Sequence, residues 1–110
     1  MKYFISDDER CSTCYHEWQK GHFDGITFWK SSSLLLSDDI MCKLCLESLF
    51  KSVFDKYESY GETEVSKAQW ESVLKKATEI GGEIAECIYE ADVWVQETFE
   101  EYEIFTMMGL

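Results

Sequence analysis

The spacing of apolar positions changes character near residue 37. Before it, short apolar clusters alternate with turn residues. Residues 2–6 (KYFIS) predict a short strand. Two glycines in five residues over 21–25 (GHFDG) predict a turn. Residues 26–31 (ITFWKS) are rich in β-branched and aromatic side chains and predict a second strand. From Ser37 onward, Met41, Leu44, Cys45, Leu49, Val53, Phe54 and Tyr57 recur mostly at three- and four-residue steps, the period of a helix. Ser37 stands as its N-cap, Asp38 and Asp39 fall in the first turn where the helix dipole favours anions, and Gly61 ends it. A second helix is predicted from Ser66, with Gln69 as its capping-box partner. It carries Trp70, Val73, Leu74 and Ala77 and stops at Gly81-Gly82. A third is predicted over 83–102, with Ile84, Cys87, Ile88, Ala91, Val95, Phe99 and Tyr102 on its inner face. The short connections predict antiparallel neighbours. The expected fold class is therefore mainly α (α+β): a three-helix C-terminal bundle with a small N-terminal β element. It forms one domain over 1–110, the β part spanning 1–37 and the helical part 38–110.

Composition supports a single packed core. The chain has 110 residues, 45% of them hydrophobic and 15% aromatic, which excludes intrinsic disorder. Charge narrows the partners. Twenty-two acids against ten bases give a net charge of −12, and Arg10 is the one arginine. Binding to phosphate backbones or to anionic membranes needs clustered cations, so neither nucleic acid nor a membrane is an expected partner. A basic protein is, because opposite fields speed encounter. The opening MKYFISDDER has no apolar core of a signal peptide, and runs such as 34–36 are far too short to span a bilayer. The expected location is cytoplasmic.

Five cysteines in such a chain point to reduced thiols or a metal. Cys11-Ser12-Thr13-Cys14 and Cys42-Lys43-Leu44-Cys45 are two C-x-x-C pairs, the first in a predicted turn and the second in the first turns of a helix. A knuckle, a β segment, then a pair at a helix start resembles a four-cysteine treble-clef or zinc-ribbon-like site over residues 10–55. The resemblance implies a structural zinc held tetrahedrally by Cys11, Cys14, Cys42 and Cys45, a closed site without an open catalytic position. Two departures stand against the usual pattern: 27 residues separate the pairs, and neither knuckle carries a glycine. The other reading is four thiols packed as small hydrophobes, which suits Cys45 on its helix. His16 and His22 could each replace a cysteine ligand. Cys87 lies in an apolar stripe and reads as core. No phosphate-binding loop, dinucleotide fingerprint, nucleophile elbow or H-E-x-x-H is present, so an enzyme is not expected.

The last basic residue is Lys76. Beyond it, Glu86, Glu90, Glu97, Glu100 and Glu101 gather on the helix face opposite Ile84, Ile88, Ala91 and Val95, with Val93 in the middle and Trp94 at the edge. Like charges four residues apart each cost about 0.2–0.5 kcal/mol, and anions at a helix C-terminus oppose its dipole. Those costs, with no cation to offset them, mark the face as a candidate partner-binding surface and not only a solvated one. The apolar tail over 103–110 is expected to dock into the core.

Size, acidity, absence of catalytic machinery and the WVQETFEEYEIFTMMGL ending together resemble the small immunity proteins of bacterial toxin systems, including contact-dependent growth inhibition. That resemblance implies a cytosolic inhibitor that covers the basic active-site surface of a toxin domain, often a nuclease. From other classes, the same features suit a zinc-containing adaptor or transcription-associated module, or a phage-type acidic decoy that mimics nucleic-acid charge.

Overall fold

Five strands form one antiparallel sheet, and four helices accompany it, in a computed structural model that describes residues 2–58 and 60–109. Ser59, in the expected first helix, and Leu110, at the end of the expected tail, lie outside the described residues. In chain order the elements are β1 (Phe4–Ile5), β2 (Tyr15–Lys20), β3 (Leu34–Ser37), α1 (Asp38–Lys43), α2 (Leu46–Val53), β4 (Glu62–Ser66), α3 (Lys67–Ile80), α4 (Gly82–Glu101) and β5 (Ile104–Met108). The strand order is β1-β3-β2-β5-β4. This corrects the expected fold class. The protein is an α+β fold built on a sheet that draws strands from both halves of the chain, not a helical bundle with a small β appendage.

Each correction has a local cause. Residues 26–31 are not a strand, although their composition suggests one. The Asp24 carboxylate accepts hydrogen bonds from the Ile26 and Thr27 N–H groups at 2.8 and 2.7 Å, and Trp29 sits at φ 59°, so the segment cannot extend. The strands on either side of it are β2 and β3, which pair as Tyr15 with Ser37, His16 with Leu36, Glu17 with Leu35 and Trp18 with Leu34. The single helix expected from residue 37 is two. Cys45 adopts φ 53°, a left-handed turn that ends α1 and starts α2 in a new direction. Beyond Phe54 the chain is no longer helical, and residues 62–66 extend as β4 before the next helix. The tail is docked, but as a strand: β5 lies between β2 and β4 and pairs with both.

The helix starts follow local chemistry. Ser37 Oγ accepts from the Ile40 N–H at 3.2 Å, and Ser66 and Gln69 form a reciprocal capping box. The turn between α3 and α4 falls on Gly81 and Gly82, at φ 74° and 58°, where a residue with a Cβ would be strained. No helix among the described residues is long and apolar enough to cross a membrane.

Register assigns the faces. Trp18 on β2, Leu36 on β3, Phe4 on β1, Phe105 and Met107 on β5, and Val65 on β4 point to the same side. There they join Leu46, Leu49, Phe50, Trp70, Val73, Ile88, Ala91 and Val95 from the helices in one core. Trp18 is at its centre, with ring centroids of Phe4, Phe105, Trp70, Phe50 and Trp94 within 5.3–6.4 Å. The Trp70 indole N–H is satisfied by Asp92 of α4 at 2.8 Å, which ties α3 to α4. The opposite face of the sheet carries Glu17, Gln19, Leu35 and Thr106, all buried. Residues 21–33 cover it: Gln19 Nε2 donates to the Thr27 carbonyl, and the Glu17 carboxyl accepts from the Lys30 N–H and the Ser33 hydroxyl.

The covering segment has a defined acid limit. Hydrogen bonds from Thr27 and then Ile26 pull the Asp24 carboxyl down to about 2 from its ordinary 3.8. A depressed carboxyl contributes its anchoring fully above the unfolded value and loses it as pH falls through the folded one. The Asp24 turn is therefore expected to hold at pH 4 and to release on acidification toward pH 2. A carboxyl-carbon NMR titration checks this; a midpoint for Asp24 near 4 would contradict the geometry.

Candidate functional site

The two sequence features that suggested function lie on different elements. Cys11 and Cys14 occupy the bend that leads into β2, and Cys42 and Cys45 occupy α1 and the turn after it. Topology brings the pairs to one end of the sheet, because β2 and β3 are adjacent and the Asp38 N–H donates to the Cys14 carbonyl at 3.0 Å. The sulfurs nonetheless do not converge. All four thiols are exposed and free, and among the described residues no three His, Cys, Asp or Glu side chains are grouped to hold a metal ion. Their immediate neighbours are carboxylate and phenol groups instead. Cys42 Sγ donates to Asp38 Oδ2 at 3.9 Å, and Cys11 Sγ lies 4.0 Å from the Tyr15 hydroxyl. As placed, these side chains do not fit the four-sulfur zinc centre implied by the treble-clef resemblance.

The histidines pair with carboxylates too. His16 Nε2 is 2.9 Å from Asp38 Oδ1, and His22 Nδ1 is 2.6 Å from Glu64 Oε2. His16, Asp38, Cys42 and Cys45 share the wall of a cavity of about 530 Å³. That quartet resembles a nucleophile set in composition but not in geometry. His16 and Cys42 both bond Asp38 and not each other, so the imidazole does not abut the thiol. The Asp38 charge, with some burial, pushes the Cys42 thiol above its ordinary value, which opposes thiolate formation. Cys87 is buried in the core, as its place in the apolar stripe implies, and burial followed by the Glu90 charge pushes its thiol up to about 12.

The acidic residues of α4 divide into two roles. Glu90 Oε2 accepts from the backbone N–H groups of Tyr3 and Phe4 at 2.8 and 2.6 Å. It thus takes the place of a strand partner for the start of β1 and fastens the N-terminal segment to the helix. Glu86 Oε2 accepts from the Tyr3 hydroxyl at 3.0 Å, and burial with this carboxylate pushes the Tyr3 phenol up to about 12. Trp94 also faces the fold. Its indole N–H donates to the Ser32 carbonyl at 2.9 Å, and its ring lies against Trp18 and Phe105. Glu97, Glu100 and Glu101 are exposed, and Val93 is 67% exposed among them. On a helical wheel Val93, Glu97 and Glu100 share one outward face with Tyr89 beside it, so the open part of the expected surface is its C-terminal half.

Two measurements follow. Reaction of the native chain with a thiol reagent is expected to consume four thiols at once and the fifth, Cys87, only on unfolding. Asp38→Asn is expected to speed alkylation of Cys42; no change would show that Asp38 does not control that thiol. Separately, Glu90→Ala is expected to cost about 1.5–3 kcal/mol of stability, the scale of hydrogen bonds to a charged group. Glu97→Ala should stay within about 0.5 kcal/mol, as exposed substitutions do. Equal effects in urea unfolding would contradict this division.

Glu17 and Gln19 were not singled out from the sequence. No local signal marked them: Tyr15-His16-Glu17-Trp18-Gln19-Lys20 does not alternate apolar with polar residues, and Glu17 and Gln19 are as buried in the structure as Trp18. No known family model, curated protein or solved structure matches this chain.

Proposed function

We propose that the protein is a protein-binding inhibitor of the immunity type, acting on a toxin domain whose active-site surface is basic, as that of a nuclease is. The observation that carries this reading is the uncompensated charge beyond Lys76. Glu79, Glu83, Glu86, Glu90, Asp92, Glu97, Glu100, Glu101 and Glu103 follow with no Lys or Arg. Glu86 and Glu90 are engaged by the N-terminal segment, which explains their presence without a partner. Glu97, Glu100 and Glu101 have no such explanation, and they follow an exposed Val93 along the helix, with the half-exposed Tyr89 one turn before it. An apolar patch rimmed by carboxylates suits a basic surface whose Lys and Arg otherwise hold phosphate: rim charges raise the encounter rate, and apolar anchors slow dissociation. The anchor role falls to Val93 and Tyr89, because Trp94 is committed to the core.

The test is kinetic. A partner captured from the native host and identified by mass spectrometry is purified, and its association with the wild type is compared with that of Glu97→Lys/Glu101→Lys. The double variant is expected to melt like the wild type but to associate about tenfold more slowly at low salt, with a flatter salt dependence. Wild-type association rates across the salt series would overturn the proposal.

A further inference from the structure

The face of the sheet turned away from the helices holds a group that neither the acidic helix nor the cysteines explain. Glu17 is only 2% exposed. Its three hydrogen bonds all fall on one oxygen: Oε2 accepts from Gln19 Nε2 at 3.0 Å, the Lys30 N–H at 3.1 Å and Ser33 Oγ at 2.6 Å. Oε1 is buried and has no partner among the described residues. The three donors are neutral, and no described cation pairs with Glu17. Arg10 is occupied by Asp7, the Ser12 carbonyl and the ring of Trp29. A buried polar oxygen left alone costs the loss of its hydration, and Gln19 Oε1 beside it is unpaired among the described residues as well, so this spot is rich in acceptors and poor in donors.

Glu17 also lines a cavity of about 420 Å³, whose other walls include Tyr15, Phe28, Trp29, Met108 and Cys14. That volume is in the range of small-ligand sites. Three aromatic rings and a thioether around a single carboxyl group make a distinctive chemistry. Ring faces attract an organic cation, the apolar walls receive its alkyl stem, and acceptor oxygens behind the wall favour positive charge in front of it. Trp29 already holds one such cation, with the Arg10 guanidinium 4.1 Å from its ring centroid. Trp29 also sits at φ 59°, a region that bulky residues avoid and that concentrates at binding sites.

We propose that this cavity binds an ammonium or guanidinium group on an apolar stem, with Tyr15, Phe28 and Trp29 as its walls and the buried Glu17 carboxyl behind them as the group that selects for positive charge. A free organic amine and a protein side chain share that chemistry. The loop above the cavity decides between them. Phe28 is 55% exposed and Ile26, two residues before it on the same loop, is 82% exposed. They extend the apolar surface beyond what a free amine could cover, so the occupant is a lysine or arginine side chain of a partner protein. The site is on the opposite side of the sheet from α4 and stands independently of the inhibitor reading.

The full ¹⁵N-labelled chain is titrated at constant ionic strength with n-butylammonium, n-butylguanidinium and n-butanol, and with a short peptide carrying one lysine flanked by apolar residues. The expected result is saturable shifts confined to residues near 14–17, 28–29 and 108, with a cation preferred over the alcohol by about tenfold. The peptide should bind about tenfold more tightly than free butylammonium, and Ile26→Ser should erase that margin only. Phe28→Ala, at an exposed position, should weaken cation binding about fivefold while leaving the melting temperature nearly unchanged. Glu17→Gln should remove the preference for cation over alcohol. Because Glu17 also anchors residues 30 and 33, a fold-disrupted Glu17→Gln leaves Phe28→Ala as the deciding variant. Equal binding of butanol, shifts spread along α4, or an unaffected Phe28→Ala would overturn the site; free amine binding as tightly as the peptide would overturn a protein source.

Discussion

Strand β2 is buried on both of its faces, and much of the molecule follows from that constraint. Toward the helices it presents Trp18, which needs a ring of apolar partners from β1, β5, α2, α3 and α4. Away from them it presents Glu17 and Gln19, whose polar atoms need donors and acceptors out of water. The helices answer the first requirement. The irregular segment 21–33 answers part of the second, with backbone groups of Thr27 and Lys30 and the Ser33 hydroxyl, and leaves one oxygen each of Glu17 and Gln19 unpaired among the described residues. Its refusal to become a strand is therefore useful: an extended hairpin arm would direct its N–H groups to a neighbour in the sheet and not down onto Glu17.

The acidic helix has a similar double character. Along α4 the first carboxylates secure the chain start, and the later ones are left to solvent. An edge strand only two residues long has little pairing of its own, and Glu90 supplies what the sheet does not. Charge accumulation on this helix is thus partly internal architecture. Glu97, Glu100 and Glu101, and Glu83 at the other end of the helix, are exposed and take no part in that anchoring.

What the sequence disclosed was what is decided within one turn of chain. Ser37 and the Ser66/Gln69 pair acted as caps because a cap needs only its own neighbours. The inner face of α4 was legible because Cys87, Ile88, Ala91 and Val95 bury against a single side. The strands were not. Phe105 meets Val65 and Lys20 across gaps of 40 and 85 residues, and nothing local in IFTMM specifies those partners. Four-residue LLLS was too short to declare itself, whereas ITFWKS had strand composition but an Asp24 turn and a left-handed Trp29 within it. The cysteine spacing led to the expectation of a metal centre, and among the described residues no three His, Cys, Asp or Glu side chains are grouped to hold one. Glu90 and Trp94 looked like surface on a helical wheel because a wheel cannot show the N-terminal segment or Ser32 folding over them.

The position of β5 has a consequence for how the protein is made. It is the fourth strand in spatial order but the last in the chain, and β4 has no other described partner. During synthesis the first four strands and all four helices emerge before the piece that joins β4 to β2. Until residues 104–108 clear the ribosome, Trp18 and Trp70 lack the Phe105 ring that packs against both, and β2 and β4 each have an open edge. Until then nascent chains are exposed to edge-to-edge pairing. Productive folding becomes a single late event, slowed by contacts of long sequence separation. A chain that stops before residue 104 keeps both edges open and is sticky, a property that favours its rapid disposal by chaperones and proteases over its accumulation.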